Sequence, residues 1–464
     1  MINILPDDVL IAIFYQYVND SNQNKERERA WQSLVHVCRR WRIIVFGSPR
    51  HLNLCLVCTA NTRARDTQLD DVWPALPLVI SFHRDYGTGS VDNIIAVLGR
   101  SDRVCQIYLG NLQSSDLELI LAAMQQPFPE LTHLSLYSGH ETVPVVPDSF
   151  LGGSTPLLKF LQLKGIPFPG LPKRLLSATH LVDLHLYQIP HSGYFSPNVM
   201  ATALTALNSL QRLTLKFESP RSCHDRPDQA SRRPPPSTRS VLPVLSYFWF
   251  RGVTKYLEDL VACIDTPRLN KLKIFFINDI VFDTPRFIQF ITRTPTSRAL
   301  KKACIALRNC DASLHFSSQA FKFSDGDVYV VIRVLRQGLD RQLSSLEKVC
   351  TLCLPPLSML EDLYIYEDPD SQPDWKDDIE NGLWLQLLHL FTAVKNLYLS
   401  EQIALHIGPA MQEIAEGRTT GVLSALQNIF LKGLQPSGPV QEGISQFVAS
   451  RLVTGRSVAI SLWN

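Results

Sequence analysis

Leu131-Thr132-His133-Leu134-Ser135-Leu136 and, 27 residues on, Leu158-Lys159-Phe160-Leu161-Gln162-Leu163 share one frame, with leucine at positions one, four and six. The frame returns with its first residue at Val104, Leu181, Leu210, Leu269, Leu360, Val394 and Leu426, which makes nine copies. Starts at 104, 131, 158, 181 and 210 are separated by 27, 27, 23 and 29 residues, and those at 360, 394 and 426 by 34 and 32. Successive side chains of a strand point to opposite faces, so positions four and six share a core while three, five and seven point away from it. A single strand of this kind buries too little apolar surface to stand alone, and stacked copies bury a continuous core. The intervening sequence turns helical. Ser115-Asp116-Leu117-Glu118 reads as a capping box feeding Leu117, Ile120, Leu121 and Met124. Further helical spacing runs from Ser196-Pro197 to Leu207, through Leu257, Leu260, Val261 and Ile264, and through Trp384, Leu387, Leu388 and Phe391.

Frame and spacing resemble those of leucine-rich repeats over residues 75 to 464. The family often places Asn at the ninth position of the unit. Here that position holds Gly139, Ile166, Ile189, Glu218, Ile277, Asp368, Gln402 and Leu434, so no asparagine ladder is expected at the turn and the curvature should be irregular. The gaps 210 to 269 and 269 to 360 each have room for degenerate units, with candidates at Val241-Leu242-x-Val244-Leu245, Cys304-Ile305-Ala306-Leu307 and Leu314-His315-Phe316. Ser219 to Ser240 interrupts the pattern. It carries Pro220, Pro227 and Pro234-Pro235-Pro236 among five arginines, has no apolar period and reads as an extended or disordered loop, either a solvated insertion or a contact for an anionic partner.

Ahead of the repeats the chain reads differently. Pro6 suits the first helical position, and Asp7 and Asp8 complement the positive end of the helix dipole. Val9, Leu10, Ile13, Phe14 and Tyr17 follow at helical spacing, and Trp31, Leu34, Val35, Cys38, Trp41 and Ile44 repeat it on a second segment. The order Leu5-Pro6, Val9, Ile13, Leu34, Val37-Cys38, Trp41 resembles an F-box. The resemblance implies a three-helix module that docks on a Skp-type adaptor and through it on a cullin. Leu5, Pro6, Val9, Ile13, Leu34, Val37 and Trp41 would then bind the adaptor or support the small core behind that surface. The plainer alternative is a helical cap closing the next domain. The expected fold is therefore α/β: an F-box helical module at 1–46, a connector at 47–74, and at 75–464 an irregular leucine-rich-repeat solenoid with parallel strands on the concave face, helices on the convex face and the Pro/Arg-rich loop at 219–240.

At 464 residues with 45% apolar and 19% charged residues the chain is globular, and a net charge of +2 gives no reason to expect nucleic acid. No run of about 18 uncharged apolar residues is present, so no membrane partner is expected and a cytoplasmic and/or nuclear protein is. The ten cysteines are expected reduced. Gly87-Thr88-Gly89 lacks the context of a nucleotide loop, and there is no Gly-x-Ser-x-Gly elbow or His-Glu-x-x-His helix. Cys55-x-x-Cys58 and Cys350-x-x-Cys353 sit on apolar segments and read as core rather than zinc ligands. No enzyme, cofactor or metal is expected. A binding surface remains, on positions three, five and seven: Tyr137, Lys164, Tyr187, Arg212, Lys216, Lys271, Lys273, Tyr364, Tyr366 and Tyr398 are its candidates. Tyrosine and arginine concentrate interface energy, and the cations would suit an acidic or phosphorylated segment of a protein substrate.

Overall fold

The structure, a computed structural model, describes residues 5–20, 24–49, 51–59, 76–83, 91–139, 143–223, 239–277, 285–294, 300–318, 329–335, 338–353, 357–369, 371–373, 380–416, 421–432 and 439–462. Gly87-Thr88-Gly89, most of the connector and most of the Pro/Arg-rich loop lie outside these. The chain forms two compact units, one of residues 1–195 with 206–210, the other of residues 196–205 with 211–464.

The first unit begins with three helices, α1 (Asp7–Asn19), α2 (Asn24–Val35) and α3 (Arg39–Gly47). Pro6 stands one residue outside α1 as its N-cap, with ψ at 154°, rather than at the first helical position. Leu10, Phe14 and Val18 are buried, four residues apart, and Phe14 packs on Trp41 with ring centroids 4.7 Å apart. Cys38 caps α3, its sulfur accepting from the Trp41 amide at 3.5 Å. Arg40 ties α3 to the start of α1, donating to Asp7 Oδ1 and to the Leu5 carbonyl, each at 2.6 Å. The Trp31 indole donates to the Cys55 carbonyl at 3.0 Å, joining α2 to the chain that enters the sheet.

Six parallel strands follow in sequence order: β1 (Leu56–Cys58), β2 (Leu78–His83), β3 (Val104–Gly110), β4 (His133–Tyr137), β5 (Phe160–Lys164) and β6 (Asp183–Ile189). Their connections include α4 (Val91–Leu98), α5 (Ser114–Ala123) and α6 (Leu171–Leu175). In β4 and β5 burial alternates as positions four and six require, with Leu134, Leu136, Leu161 and Leu163 inward. Ser115 does not cap α5. The helix starts one residue earlier at Ser114, and its N-cap Gln113 makes no side-chain bond.

The second unit contains α7 (Pro197–Leu204), then β7 (Arg212–Phe217), β8 (Ser240–Val241), β9 (Tyr247–Gly252), α8 (Thr254–Cys263), β10 (Ile264–Asp265) and β11 (Lys271–Phe276). α9 (Pro285–Arg293) leads to β12 (Lys302–Leu307), β13 (Asp311–Ser317) and β14 (Tyr329–Leu335). After α10 (Leu339–Cys353) come β15 (Asp362–Glu367), α11 (Asn381–His389), β16 (Asn396–Leu399), α12 (Glu401–Ala415), β17 (Asn428–Leu431), α13 (Pro439–Val453) and β18 (Ala459–Leu462). Its sheet runs β7-β9-β11-β14-β13-β12-β15-β16-β17-β18, with β8 and β10 paired separately.

Two expectations are corrected here. The degenerate unit after 210 is not Val241 to Leu245. Its strand is β9, framed by buried Leu245, Phe248 and Phe250, so phenylalanine replaces leucine at positions four and six. The segment after 269 does not continue the parallel alternation of strand and helix either. β12 and β13 form an antiparallel hairpin, and β13 also runs antiparallel to β14, which returns beside β11. Ala312, Leu314 and Phe316 of β13, and Val330, Ile332 and Val334 of β14, join the core with period two, so the insertion keeps the two-faced sheet while reversing its strand order. Outside this insertion, each unit stacks parallel strands connected largely through helices, the arrangement of a leucine-rich-repeat-like solenoid.

Candidate functional sites

On α1 the apolar residues do not form one face. Leu10, Phe14 and Val18 point inward, whereas Val9, Ile13 and Tyr17, also four apart, are 39%, 49% and 54% exposed. Residues at that spacing lie one above the other, so the helix carries a second apolar stripe that nothing among the described residues covers. Val37 at 59% and Ile43 at 63% are exposed as well. Leu34 is buried, Leu5 and Trp41 are half-buried, and Pro6 is exposed. Of the seven residues singled out in this segment, Leu34 and Trp41 thus belong to the module's packing, Pro6, Val9, Ile13 and Val37 to its surface, and Leu5 is half-buried.

The open face of the first unit presents Tyr137, Lys164 and Tyr187 in one row across β4, β5 and β6. Lys164 Nζ lies 4.0 Å from the Tyr137 ring centroid, a cation on a π-face. Ser135, Gln162 and His185 form the next row on that face, and His133, Phe160 and Asp183 the one beyond it. His133 stacks on Phe160 at 5.9 Å, and burial, seconded by the Lys159 charge, lowers its pKa.

The second unit's open face is richer. Strand register places Arg212, Tyr247, Lys271 and Tyr329 in one row, Thr214, Trp249, Lys273, Val331 and His315 in the next, and Lys216, Arg251, Phe275, Arg333 and Ser313 in a third. Lys216 Nζ lies 2.9 Å from the Trp249 centroid. Lys273 Nζ sits among three rings, 5.4 Å from Trp249, 5.4 Å from Tyr329 and 5.9 Å from Tyr247. Phe275 is flanked by two guanidinium groups, Arg251 at 5.3 Å and Arg333 at 5.1 Å. Trp249, Lys273, Phe275, Arg308, Ser313, His315, Val331 and Arg333 line a cleft of about 220 Å³.

Asp311 organises its far wall. Its buried carboxylate accepts from Arg333 Nε at 2.6 Å, from Arg333 Nη2 and from Arg308 Nη1 at 3.2 Å. Arg308 donates further to Asp368 at 2.7 Å and to Ser313 at 3.0 Å. Charge in the cleft leans positive. Burial, then the charges of Arg308, Lys273 and Arg333, push the His315 pKa down to about 4. Burial and Lys271 lower that of Lys273, and burial and Arg333 lower that of Arg251.

Beyond the insertion the face is a pair of ladders. Lys302 contacts Asp362 at 3.3 Å, Asn396 donates to Asp362 at 2.7 Å, and Asn428 donates to Asn396 at 2.8 Å. Tyr364, Tyr398 and Phe430 stack at 4.0 Å and 4.4 Å. Tyr366 hydrogen-bonds the Cys304 thiol, whose pKa burial pushes up to about 12. A side-chain ladder exists, then, at position three of these units.

Of the ten substrate-face candidates, all lie on these open faces: Tyr137, Lys164 and Tyr187 in the first unit, Arg212, Lys216, Lys271, Lys273, Tyr364, Tyr366 and Tyr398 in the second. The sequence reading missed Trp249, Arg251, Arg308, His315 and Arg333. The signal for the first two was present: starting a unit at Leu245 makes Tyr247, Trp249 and Arg251 positions three, five and seven. Among the described residues no group of three or more His, Cys, Asp or Glu could hold a metal ion, and no helix is long and apolar enough to cross a membrane.

No family model matches this chain, and no curated protein does. Among solved structures, the leucine-rich repeat-containing protein LegL7 from Legionella pneumophila aligns over 85% of this chain and 97% of its own, at 13% identity and a TM-score of 0.28. Likeness at that level carries no functional argument. The repeat class rests on the strand register and the alternating burial in this chain.

Proposed function

We propose that this chain is the non-catalytic substrate-recognition subunit of an SCF-type ubiquitin ligase. In this reading α1–α3 dock on a Skp-type adaptor, which joins them to a cullin, and the open strand faces hold a protein substrate. The observation that carries it is the second apolar stripe of α1, Val9, Ile13 and Tyr17, left exposed after Leu10, Phe14 and Val18 have filled the module's own core. A helix that merely closed a domain would need only the inner stripe. Exposed apolar residues in line favour a partner that desolvates them, at about 25 cal/mol per Å² of apolar surface removed from water. The open faces supply aromatic rings and cations, which suit an acidic segment.

The test is capture of the purified Skp-type adaptor by the full chain. Val9→Asp with Ile13→Asp should abolish capture, while thermal unfolding stays within about 2 °C because both sites are exposed. Retained capture would leave the coarser reading, a repeat scaffold that binds proteins without ubiquitin transfer, which rests on the open faces alone.

A further inference from the structure

The β12–β13 hairpin and β14 interrupt the parallel array where the aromatic and cationic side chains are densest, and they supply one wall of the cleft: Arg308, Ser313, His315, Val331 and Arg333. The regular strands β9 and β11 supply the other, Trp249, Lys273 and Phe275. Charges on the inserted wall are internally matched. Arg308 and Arg333 face Asp311 and Asp368, and the carboxylates fix the two guanidinium groups. Arg333 Nη1 makes no hydrogen bond among the described residues, since Asp311 takes Nε and Nη2. On the regular wall the balance fails. Lys273 has no carboxylate partner among the described residues. A positive charge without a counterion, beside the fixed guanidinium edge of Arg333 and the rings of Trp249 and Phe275, matches an oxyanion attached to a flat or apolar group.

We propose that this cleft binds a phosphomonoester, its oxygens between Lys273 and the edge of Arg333 and its organic part against Trp249 and Phe275. A phosphomonoester carries about −1.5 to −2 at pH 7, and arginine meets it with paired N–H donors. A carboxylate brings half that charge. The assignment rests on the open face being a recognition surface, as in the preceding section, and names the chemistry it recognises. The source is either a phosphorylated side chain of a recruited protein or a free phosphorylated small molecule.

Calorimetric titration of the full chain without adaptor tests it, so that its outcome is independent of adaptor docking. The probes are phenyl phosphate, N-acetyl-phosphoserine amide, phosphoserine and phosphotyrosine peptides with their unphosphorylated forms, phenylacetate and inorganic phosphate. Saturable binding of a phosphomonoester is expected, weakened roughly tenfold or more in Lys273→Met and in Arg333→Met and unchanged in Lys173→Met, an exposed lysine of the other unit. Melting curves taken in parallel identify any variant that has lost its fold, and Lys273→Arg, which keeps the charge, should recover part of the binding. Phosphopeptides binding roughly tenfold tighter than the small esters assign the source to a protein. Equal affinity assigns it to a free ligand. No saturable binding of any monoester, or phenylacetate binding as tightly as phenyl phosphate, overturns the proposal.

Discussion

Asp311 shows how one carboxylate sets a surface. Buried on β13, it holds Arg333 through both oxygens and Arg308 through one, fixing two long cationic side chains that would otherwise sample many rotamers. Asp311→Asn removes the charge and turns one acceptor into a donor facing a guanidinium. Arg333 can still reach water, so the expected loss is about 1–3 kcal/mol, below that of a fully buried pair, and urea unfolding at neutral pH measures it. His315 gives a pH dependence of definite sign. Its folded pKa is held near 4 by burial and by Arg308, Lys273 and Arg333, whereas an unfolded histidine titrates near 6.5. Between those values the unfolded chain binds the extra proton, so this group's contribution to stability is present above pH 6.5 and is lost as pH falls toward 4. Lowering the pH from 7 to 5 should therefore remove about 2 kcal/mol through this residue, and His315→Gln, neutral at both, should lose less across the same interval. Equal losses in the parent and the variant would remove His315 from the account.

At the scale of elements, the strands were legible because leucine at positions four and six states both the period and the face. β9 was hidden because Phe248 and Phe250 do the same packing under another name, and a search framed on apolar volume rather than on leucine finds it. The antiparallel insertion was harder to read. Period-two alternation in β13 and β14 announces strands, but their direction is set by pairing with distant β11, which no local pattern encodes. On α1 the helical period was plain and its meaning was not: Val9, Leu10, Ile13, Phe14 and Tyr17 span two stripes, and which one is inward depends on Trp41, which covers Phe14. A different constraint joins α12 and α13, which pack closely enough that a Cβ on Gly443 would stand 2.6 Å from the Gly408 carbonyl oxygen. Alanine improves helix propensity by about 1 kcal/mol over glycine at an unconstrained site. Here Gly443→Ala should instead destabilise by about 1–3 kcal/mol, because the helices must separate. Thermal unfolding of this variant beside Gly382→Ala, where a Cβ meets nothing within 4 Å, separates the two effects.

For the whole molecule, a net charge of +2 spread over 464 residues produces no long-range field that could steer an acidic partner. Recognition of acidic groups must come from local clustering, and such a cluster acts within a Debye length of about 8 Å at physiological ionic strength. The second unit concentrates Arg212, Lys216, Arg251, Lys271, Lys273 and Arg333 on adjoining strands of one face. Capture of a glutamate-rich peptide by the full chain should therefore be measurable at low salt and weaken roughly tenfold as salt rises from about 0.05 to 0.5 M, the range over which the Debye length shrinks about threefold. Lys271→Glu with Lys273→Glu reverses the middle of that cluster and should abolish both the capture and its salt dependence. Reversing exposed Lys173 changes the net charge of the molecule in the same direction without touching the face, and should leave capture intact. If the Lys173 variant loses capture as fully as the double variant, overall charge and not the patterned face is responsible, and the ten residues read as a recognition surface would be no more than the solvated side of a sheet.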